Sequence, residues 1–202
     1  CPLPVLAAHS PSDCFDCAFE AVRIAITYMT PVILLSDLYV ANGSEPWQIP
    51  NVGELPQIEN SFAKTDEDYV IYRRNSETLA RTQAIPGQVG LEHRIGGLEK
   101  GEDGGVSYDP DNHEEMTHLR AQKVAGISKS LPPLQINGEK EGDLLVVGWG
   151  GTYGAISSAV GNLREEGFKV SSLHLRHINP LPDDLGQVMN GFKKVIVPEL
   201  NL

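Results

Sequence analysis

The chain of 202 residues carries 27 acidic against 16 basic side chains, a formal net charge of −11. This balance argues against a nucleic-acid surface, because neutralising phosphates requires clustered Lys and Arg. The sequence has no apolar run near the ~20 residues that cross a bilayer and no secretory signal pattern, so a cytoplasmic protein without a membrane partner is expected.

The first residue is Cys1 rather than Met, and the sequence stops directly after a predicted strand, so we expect a fragment or part of a longer chain. Three cysteines form no even disulfide framework, which favours a reducing compartment. Cys14 and Cys17 form a C-x-x-C pair, which alone cannot complete a four-ligand zinc site. A redox dithiol is one interpretation, and two small apolar residues on a packed helix are the favoured one.

A first strand, helix, strand unit is predicted at the start of the chain. Residues 3–8 form an apolar strand, and Ser10-Pro11-Ser12-Asp13 is typical of a helix start with Ser10 as N-cap. Thr30-Pro31 ends the helix after about 18 residues, and residues 32–35 form the next strand. The helix has one predicted apolar face: Phe15, Phe19, Val22, Ile26 and Met29.

Residues 41–135 differ in composition from the two ends of the chain, because they are rich in Gly, Pro, Asn and charged residues. Short strands are predicted near residues 69–72. Since a long unstructured loop is uncommon in a compact domain, this region is expected to fold back on its neighbours or on another subunit. Asp109-Pro110-Asp111 starts a helix that ends at Leu131-Pro132-Pro133, with three apolar contacts: Met116, Leu119 and Ile127.

A second unit occupies residues 142–170, with a buried strand, a glycine turn at 148–151, a helix and the start of another strand. Thr152 is the predicted N-cap, and Gly167 closes the helix. The apolar face of this helix is predicted from its spacing: Ala155, Ile156, Ala159, Val160 and Leu163.

The glycine turn invites comparison with the G-x-G-x-x-G dinucleotide fingerprint. Gly148 and Gly150 match, whereas Tyr153 holds the third position and Gly154 comes one place late. Residues 175–177, Leu-Arg-His, stand where a ribose-binding acid is needed. A structural tight turn is therefore favoured, and a stand-alone nucleotide-binding or regulatory Rossmann-like domain is the alternative.

The end of the chain adds a short helix and a third strand, at residues 194–197. Asp183 or Asp184 caps the helix, whose predicted buried face is Leu185, Val188, Met189 and Phe192. The predicted fold class is therefore α/β, with a doubly wound, mostly parallel sheet in this half.

Polar residues after two predicted strands are candidate site residues, because α/β sheets bind ligands at strand carboxyl ends. Asp37 follows the strand 32–35 and is a candidate, although helix capping is an equally good interpretation. His174 and His177 flank the end of a later strand, where solvated histidines are favoured over ligands. His113 and His118 are about 140° apart on their helix, which excludes a shared metal of the i,i+4 kind.

Glu92, His93 and Arg94 form a second candidate group, in a loop bounded by glycines. An acid, a titratable base and a bidentate donor could bind an anion or a neighbouring subunit, and an ordinary surface loop is an equally good interpretation.

Several stretches form motifs in a fixed order: 10–16 (SPSDCFD), 30–37 (TPVILLSD), 41–47 (ANGSEPW), 90–100 (GLEHRIGGLEK), 106–110 (VSYDP), 112–114 (NHE) and the run 144–202, from LLVVGWG to PELNL. Together they resemble alpha subunits of the 2-oxoglutarate:ferredoxin oxidoreductase family, which are 2-oxoacid:acceptor oxidoreductases. The resemblance covers nearly the whole chain.

This resemblance implies an enzyme that uses thiamine diphosphate with Mg to decarboxylate 2-oxoglutarate. The acyl group joins coenzyme A, and electrons pass through an iron–sulfur cluster to ferredoxin. The beta subunit is expected to hold these cofactors and this fragment none. Residues 1–45 would be the C-terminal part of a pyrimidine-binding domain, and residues 139–202 would form a transketolase-C-terminal-like domain. Residues 46–138 would connect these two domains.

The family's Tyr-Pro-Ile-Thr-Pro and Arg-Gly-Gly-Pro-Ser-Thr-Gly segments, associated with substrate and cofactor, precede the matched region and are absent. The fragment is therefore expected to be inactive alone, and to act as scaffold and subunit interface. Cys17 stands where the family suggests alanine, and the chain lacks the four cysteines that a cluster needs.

Overall fold

The structure is a computed structural model that describes residues 2–64 and 68–200. Its first part contains these elements in chain order: β1 (Val5–Ala7), α1 (Asp13–Tyr28), β2 (Ile33–Leu35), α2 (Leu38–Asn42) and α3 (Pro110–Gly126). β1 and β2 pair in parallel, which confirms the predicted strand, helix, strand unit. In this described part, no helix combines the length and apolarity that a membrane span requires.

Helix α1 packs on the sheet with a different face from the predicted one. Cys17, Ile24 and Tyr28 are buried, whereas Val22 is 49% exposed. Apolar side chains occur on both sides of this helix, so periodicity alone did not identify the packed side. The small Cys17 lets the helix approach Ala8 at the end of β1, where the two residues share a buried cluster.

The C-x-x-C pair lies in the first turns of α1. Cys17 is fully buried, and its thiol donates to Asp13 Oδ2 at 3.3 Å. Burial, together with the Asp13 carboxylate, raises the pKa of the Cys17 thiol to about 12. Cys14 is only half-buried, with its thiol 3.6 Å from the Ser10 carbonyl oxygen. These surroundings favour the packing interpretation over a redox dithiol.

Alkylation rates test this difference. In the folded protein at pH 8, we expect iodoacetamide to label Cys14 faster than Cys17 by about tenfold or more, because the thiolate is the reacting species. Peptide mass spectrometry over time measures both rates, and labelling in denaturant is the control in which the two cysteines should react alike. Equal rates in the folded protein would contradict the assigned environment of Cys17.

The middle region folds back on α1 and α3. Glu45 accepts a hydrogen bond from Ser10 Oγ at 2.6 Å, and the Trp47 ring lies 5.3 Å from that of Phe15. Asn112 Nδ2 of α3 donates to the Lys100 carbonyl at 3.3 Å. The middle region therefore packs on the parts of the chain around α1 and α3 and is not a free loop.

The strand predicted near residues 69–72 is wrong for the part that the structure describes. Ile71 and Tyr72 form a turn, and isolated bridges join Arg74 to Arg81 and Phe62 to Gln83. The apolar residues of this stretch fill gaps instead of pairing as a strand, and Ile71 is 6% exposed.

Helix α3 begins as predicted, whereas its α-helical part ends at Gly126, before the predicted break. The Asp109 carboxylate caps it by accepting a hydrogen bond from Asp111 N at 3.0 Å. Met116 and Ile127 are buried, and the helix continues as a 3₁₀ turn before the predicted break at Leu131. Ile127 packs with Leu6 of β1 and so ties the end of this helix to the first sheet.

The second part adds these elements: β3 (Ile136–Asn137), β4 (Gly142–Trp149), α4 (Tyr153–Glu165), β5 (Val170–Leu175), β6 (His177–Asn179), α5 (Leu185–Asn190) and β7 (Phe192–Ile196). The sheet order is β3-β5-β4-β7, with β4 parallel to both neighbours and β3 antiparallel to β5. The predicted α/β class with a mostly parallel sheet is confirmed.

The core of this sheet contains Leu145 and Leu173, which are at most 1% exposed. Helix α4 packs through Ile156 and Val160, whereas Ala155 and Ala159 are exposed, so its apolar stripe is narrower than predicted. Phe192 opens β7 instead of closing the short helix, and it is buried in the same core.

Strand β6 was not predicted, and it joins the two sheets. After Leu175 the chain leaves the second sheet, and β6 pairs antiparallel with β1, giving the order β2-β1-β6. Arg176 is the residue between the sheets, and its carbonyl oxygen accepts a hydrogen bond from Ala7 N at 2.9 Å. The ends of β1 and β5 therefore lie side by side.

Candidate functional site

Five polar or aromatic side chains meet where the two sheets join, and we call this group the junction: His9, Asp13, Tyr153, His174 and Arg176. His9 follows β1, and Asp13 is the first residue of α1. His174 and Arg176 lie at the end of β5, and Tyr153 opens α4 after the glycine turn. The carboxyl ends of strands from both sheets thus contribute, which is where α/β folds collect functional side chains.

Asp13 is the centre of the junction and is 4% exposed. Its Oδ2 lies 2.7 Å from His9 Nδ1 and accepts from His9 N at 3.1 Å, while Oδ1 pairs with the Arg176 guanidinium. Burial alone would raise the Asp13 pKa, but the hydrogen bonds from His9 and the charge of Arg176 lower this pKa to about 2. Asp13 is therefore a permanent anion at neutral pH and not a proton carrier.

Three rings stack beside this anion. The His9 ring lies 4.5 Å from Tyr153 and 5.5 Å from His174, and Tyr153 and His174 meet edge to face at 5.1 Å. Burial and the nearby His9 lower the pKa of His174 to about 4, so this imidazole is neutral at pH 7. Its buried Nε2 has no hydrogen-bond partner among residues 2–64 and 68–200.

A second ionic group ties β6 to α1. His177 is 7% exposed, and its Nε2 lies 3.1 Å from Glu20 Oε1. Arg23 holds the same carboxylate through Nε at 2.6 Å and Nη2 at 2.7 Å. Burial would raise the Glu20 pKa, yet the hydrogen bonds from Arg23 and His177 lower it to about 2. The expectation of solvated strand-end histidines is wrong, because the end of β5 and the start of β6 are enclosed.

The candidate Asp37 is a helix cap that also reaches the second sheet. Its Oδ1 accepts from Val40 N at 2.9 Å as N-cap of α2, which confirms the capping interpretation. Its Oδ2 accepts from Gly151 N at 2.6 Å, so one carboxylate joins the two parts of the fold. A methyl group on Gly151 would lie 2.4 Å from this oxygen, which explains glycine there.

The glycines of the turn allow helix α4 to pack closely on strand β4. A Cβ on Gly148 would lie 2.3 Å from Ile156 Cδ1 and 2.8 Å from Thr152 Oγ1. Gly150 has φ +58°, a left-handed conformation that glycine adopts readily. Since Asp37 already occupies the Gly151 amide, the turn presents a carboxylate where a bound phosphate would need free N–H groups. The nucleotide-binding alternative is not supported here.

Replacement of Asp37 tests the bridging role. Asp37→Ala is expected to lower the free energy of unfolding by about 1–2 kcal/mol, since it removes both a cap and a charged acceptor at an exposed position. Asp37→Asn keeps an oxygen acceptor for Val40 N and is the matched control, with about half that loss. Urea denaturation of the three proteins measures this, and an Asp37→Ala protein as stable as the parent would contradict the bridge.

The other candidate residues, Glu92, His93 and Arg94, lie elsewhere. All three are exposed, with His93 Nδ1 2.8 Å from the Leu91 carbonyl oxygen and its ring 6.0 Å from Tyr69. Among residues 2–64 and 68–200 they make no ion pair, and the structure does not bring them to the junction.

The helical histidines do not form a metal site. His113 Nδ1 lies 2.9 Å from Glu99 Oε2, and His118 pairs with Glu114 at 3.6 Å. Over the described ranges, no group of three or more His, Cys, Asp or Glu side chains is arranged to hold a metal ion.

Sequence reasoning missed the junction. The sequence pattern places Asp13 at the start of a helix, and Arg176 among the residues that stand where a ribose-binding acid would be needed. Two features could have indicated the junction: the basic Arg176 at the end of one strand, and the acidic Asp13 in the first turn of the helix that follows another strand. The pairing spans 163 positions, and the unpredicted β6 creates it.

Two family models match the chain. Residues 1–106, just over half of it, match the family described as "Pyruvate flavodoxin/ferredoxin oxidoreductase, thiamine diP-bdg". Residues 142–202 match "Pyruvate:ferredoxin oxidoreductase core domain II".

Curated relatives agree with these matches. The chain is 52% identical over 203 residues to the 2-oxoglutarate oxidoreductase subunit KorA of Mycobacterium tuberculosis, covering 100% of this chain and 31% of the relative. It is 30% identical over 203 residues to the 2-oxoglutarate synthase subunit KorA of Archaeoglobus fulgidus, covering 99% of this chain and 50% of the relative.

A solved structure has the same fold over the whole chain. It is the 2-oxoglutarate:ferredoxin oxidoreductase from Magnetococcus marinus with 2-oxoglutarate, coenzyme A and succinyl-CoA bound. The TM-score is 0.91 at 30% identity, covering 100% of this chain and 35% of that one. The chain therefore spans about a third of that structure, about a third of the Mycobacterium tuberculosis relative and half of the Archaeoglobus fulgidus relative. These findings confirm the resemblance seen in the sequence motifs, and the chain belongs to the pyruvate flavodoxin/ferredoxin oxidoreductase family.

Proposed function

We propose that this chain is part of the alpha subunit of a thiamine-diphosphate-dependent 2-oxoacid:ferredoxin oxidoreductase with 2-oxoglutarate as substrate. In this reaction 2-oxoglutarate loses CO2, its acyl group joins the sulfur of coenzyme A, and the electrons released reduce ferredoxin. The observation that carries the proposal is the match, over the whole chain, to a solved enzyme with 2-oxoglutarate and coenzyme A bound.

Within that enzyme, we assign this part the role of scaffold and subunit interface. Two carboxylates, Asp13 of the junction and the half-buried Glu20 beside β6, are both ionised, and each is paired with an arginine. His174 is neutral and enclosed. Groups held in one protonation state position other elements and do not transfer protons at neutral pH.

We propose that the implied cofactors are held outside the described residues. Within residues 2–64 and 68–200 no metal-ligand group exists, and the glycine turn that could have cradled a diphosphate holds Asp37 instead. We therefore derive no chemical step through thiamine diphosphate, Mg or a cluster from these residues, and we propose that the beta subunit supplies them.

The division into a pyrimidine-domain end (1–45), a connection (46–138) and a transketolase-C-terminal-like domain (139–202) is also proposed. The unit formed by β1, α1 and β2 supports the first part, and the mostly parallel sheet supports the last. The cytoplasmic location stays a prediction.

Reconstitution tests the activity. The full-length alpha subunit with its beta partner should reduce ferredoxin with 2-oxoglutarate and coenzyme A, at a kcat/KM about tenfold or more above that for pyruvate. Omitting coenzyme A is the control and should abolish sustained turnover. If no 2-oxoacid supports ferredoxin reduction by the assembled subunits, the proposed activity is wrong.

We propose that Glu92, His93 and Arg94 contact the beta subunit. Their loop exposes charged groups beside two apolar side chains, Val89 (81% exposed) and Ile95 (86% exposed). Such a mixed surface is suited to protein contact.

A double substitution tests this contact. His93→Ala with Arg94→Ala should weaken subunit assembly by about tenfold or more, since the Arg94 guanidinium and the hydrogen-bonding His93 ring are removed from the proposed interface. Arg164→Ala, at an exposed position of α4, is the control and should assemble normally. Sedimentation of the mixed subunits measures the affinity, and unchanged assembly of the double variant would remove this contact from the proposal.

A further inference from the structure

A large cavity lies between α1 and the middle region, away from the junction. Its volume is about 720 Å³, which lies in the range of small-molecule sites. Four arginines line it: Arg23, Arg73, Arg74 and Arg81. The only carboxylates on its described lining are Glu59 and Asp68, both exposed.

Two of these arginines have no acidic ion-pair partner among residues 2–64 and 68–200. Arg23 is held by Glu20, and Arg73 lies 3.5 Å from Asp68. In contrast, Arg74 and Arg81 form no ion pair with any residue in 2–64 or 68–200, although the chain has 27 acids for 16 basic residues. Within these ranges, no ion pair balances the positive charge of either guanidinium group.

The unpaired side chains are nevertheless held in place. Arg74 Nη1 donates to the Leu79 carbonyl at 3.0 Å and its Nη2 donates to Met116 Sδ at 3.7 Å, while its buried Nε has no hydrogen-bond partner within the described residues. Arg81 lies over the Tyr72 ring at 4.4 Å, which fixes the guanidinium without using its donors. Arg74 and Arg81 pair through their backbones in an isolated antiparallel bridge, and both residues line the cavity.

Further positive charge lies behind them on α3. Burial, followed by repulsion from Arg74, Arg81 and Arg120, lowers the pKa of Lys123 to about 8. Burial and the charges of Arg81 and Arg120 likewise lower the pKa of Arg74. Repulsion of this kind is relieved when an anion enters.

We propose that this cavity binds a phosphate-bearing anion, with Arg74 and Arg81 as its ligands. Planar guanidinium groups match phosphate oxygens in a bidentate way, and two cations without an ion pair among the described residues balance a doubly charged group. The volume admits more than one phosphate, so the source is either a free polyphosphate or the phosphates of a nucleotide-type coenzyme. The inference does not depend on the proposed activity, because binding can be measured without turnover.

Calorimetric titration of inorganic pyrophosphate into the full-length protein at low salt tests the site. We expect saturable binding that Arg81→Gln weakens by about tenfold or more, with Arg81→Lys losing less because it keeps the charge. Arg164→Gln is the matched control and should change the Kd by less than about twofold, since this arginine is exposed on α4. Thermal unfolding of each variant confirms that it is folded.

Comparison of ligands decides the chemistry. The Arg81-dependent binding should be about tenfold or more tighter for pyrophosphate than for succinate. Coenzyme A or ADP binding tighter than pyrophosphate would assign the site to a nucleotide coenzyme, and equal binding would assign it to free polyphosphate. Absence of saturable pyrophosphate binding, an unchanged Kd in Arg81→Gln, or equal affinity for succinate would each overturn the proposal.

Discussion

Asp13→Asn is expected to lower the free energy of unfolding by about 2–3 kcal/mol at pH 7. The pKa of Asp13 falls from 3.8 to about 2 in the folded protein, so folding favours the charged form. Asparagine keeps an oxygen acceptor for His9 N but removes the charge that pairs with Arg176. Because Asp13 is 4% exposed, solvent screens this loss little.

The pH dependence follows from the direction of that shift. Because the pKa of Asp13 is lower in the folded protein, its ionised carboxylate contributes its full stabilisation above the unfolded pKa of 3.8. This contribution is lost as the pH falls through the folded pKa of about 2. The stability difference between parent and Asp13→Asn should therefore shrink between pH 4 and pH 2. Urea denaturation across this range measures it.

Asp16→Asn is the matched control, because Asp16 lies in the same helical turn but is exposed. Its effect at pH 7 should stay within about 0.5 kcal/mol. If both variants lose the same stability, the ionic centre of the junction contributes nothing of its own, and the assignment of Asp13 fails.

Gly148→Val is expected to lower the free energy of unfolding by about 3 kcal/mol, the upper end of overpacking costs. Even a single Cβ at this position would lie 2.3 Å from Ile156 Cδ1, and valine adds two methyl groups. Helix α4 would have to move away from β4, separating Ile156 and Val160 from Val170.

Gly154→Ala is the control within the same motif. Nothing lies within 4 Å of an added Cβ there, and the position is helical, so this variant should gain about 0.5–1 kcal/mol. Thermal denaturation of both variants checks the opposite signs. A destabilised Gly154→Ala protein would contradict the interpretation that the fold does not require glycine at position 154.

Much of the fold could be predicted from local patterns. The continuous apolar run before Gly148 predicted β4, Asp109-Pro110 predicted α3, and Gly167 correctly marked the end of α4. These features depend on capping, on glycine conformation and on strands covered from both faces, which are properties of neighbouring residues.

Elements that depend on a partner were predicted poorly. Strand β6 has three residues and exists because β1 offers it an edge. The packed face of α1 was wrong, since apolar residues occur on both sides of the helix and only the position of the sheet selects one. The strand near residues 69–72 failed for the same reason, because no partner strand lies beside that turn in the described structure.

The candidate site divides in the same way. The capping role of Asp37 follows from its place after a strand, but its bond to Gly151 crosses 114 positions. The cationic cavity could not be predicted from the composition, because the net charge of the chain is −11. It could not be predicted from local sequence either, because Arg74 and Arg81 are far along the chain from the α3 residue Lys123.

By itself, the sequence determined the α/β class, the start of α3, the end of α4, the glycine turn and the family, because each is encoded in contiguous residues. Only the tertiary structure decided that Asp13 meets Arg176, that Asp37 fills the glycine turn and that unpaired arginines share a cavity. These contacts form between distant segments, and their energies come from burial and mutual charge, which no local pattern specifies.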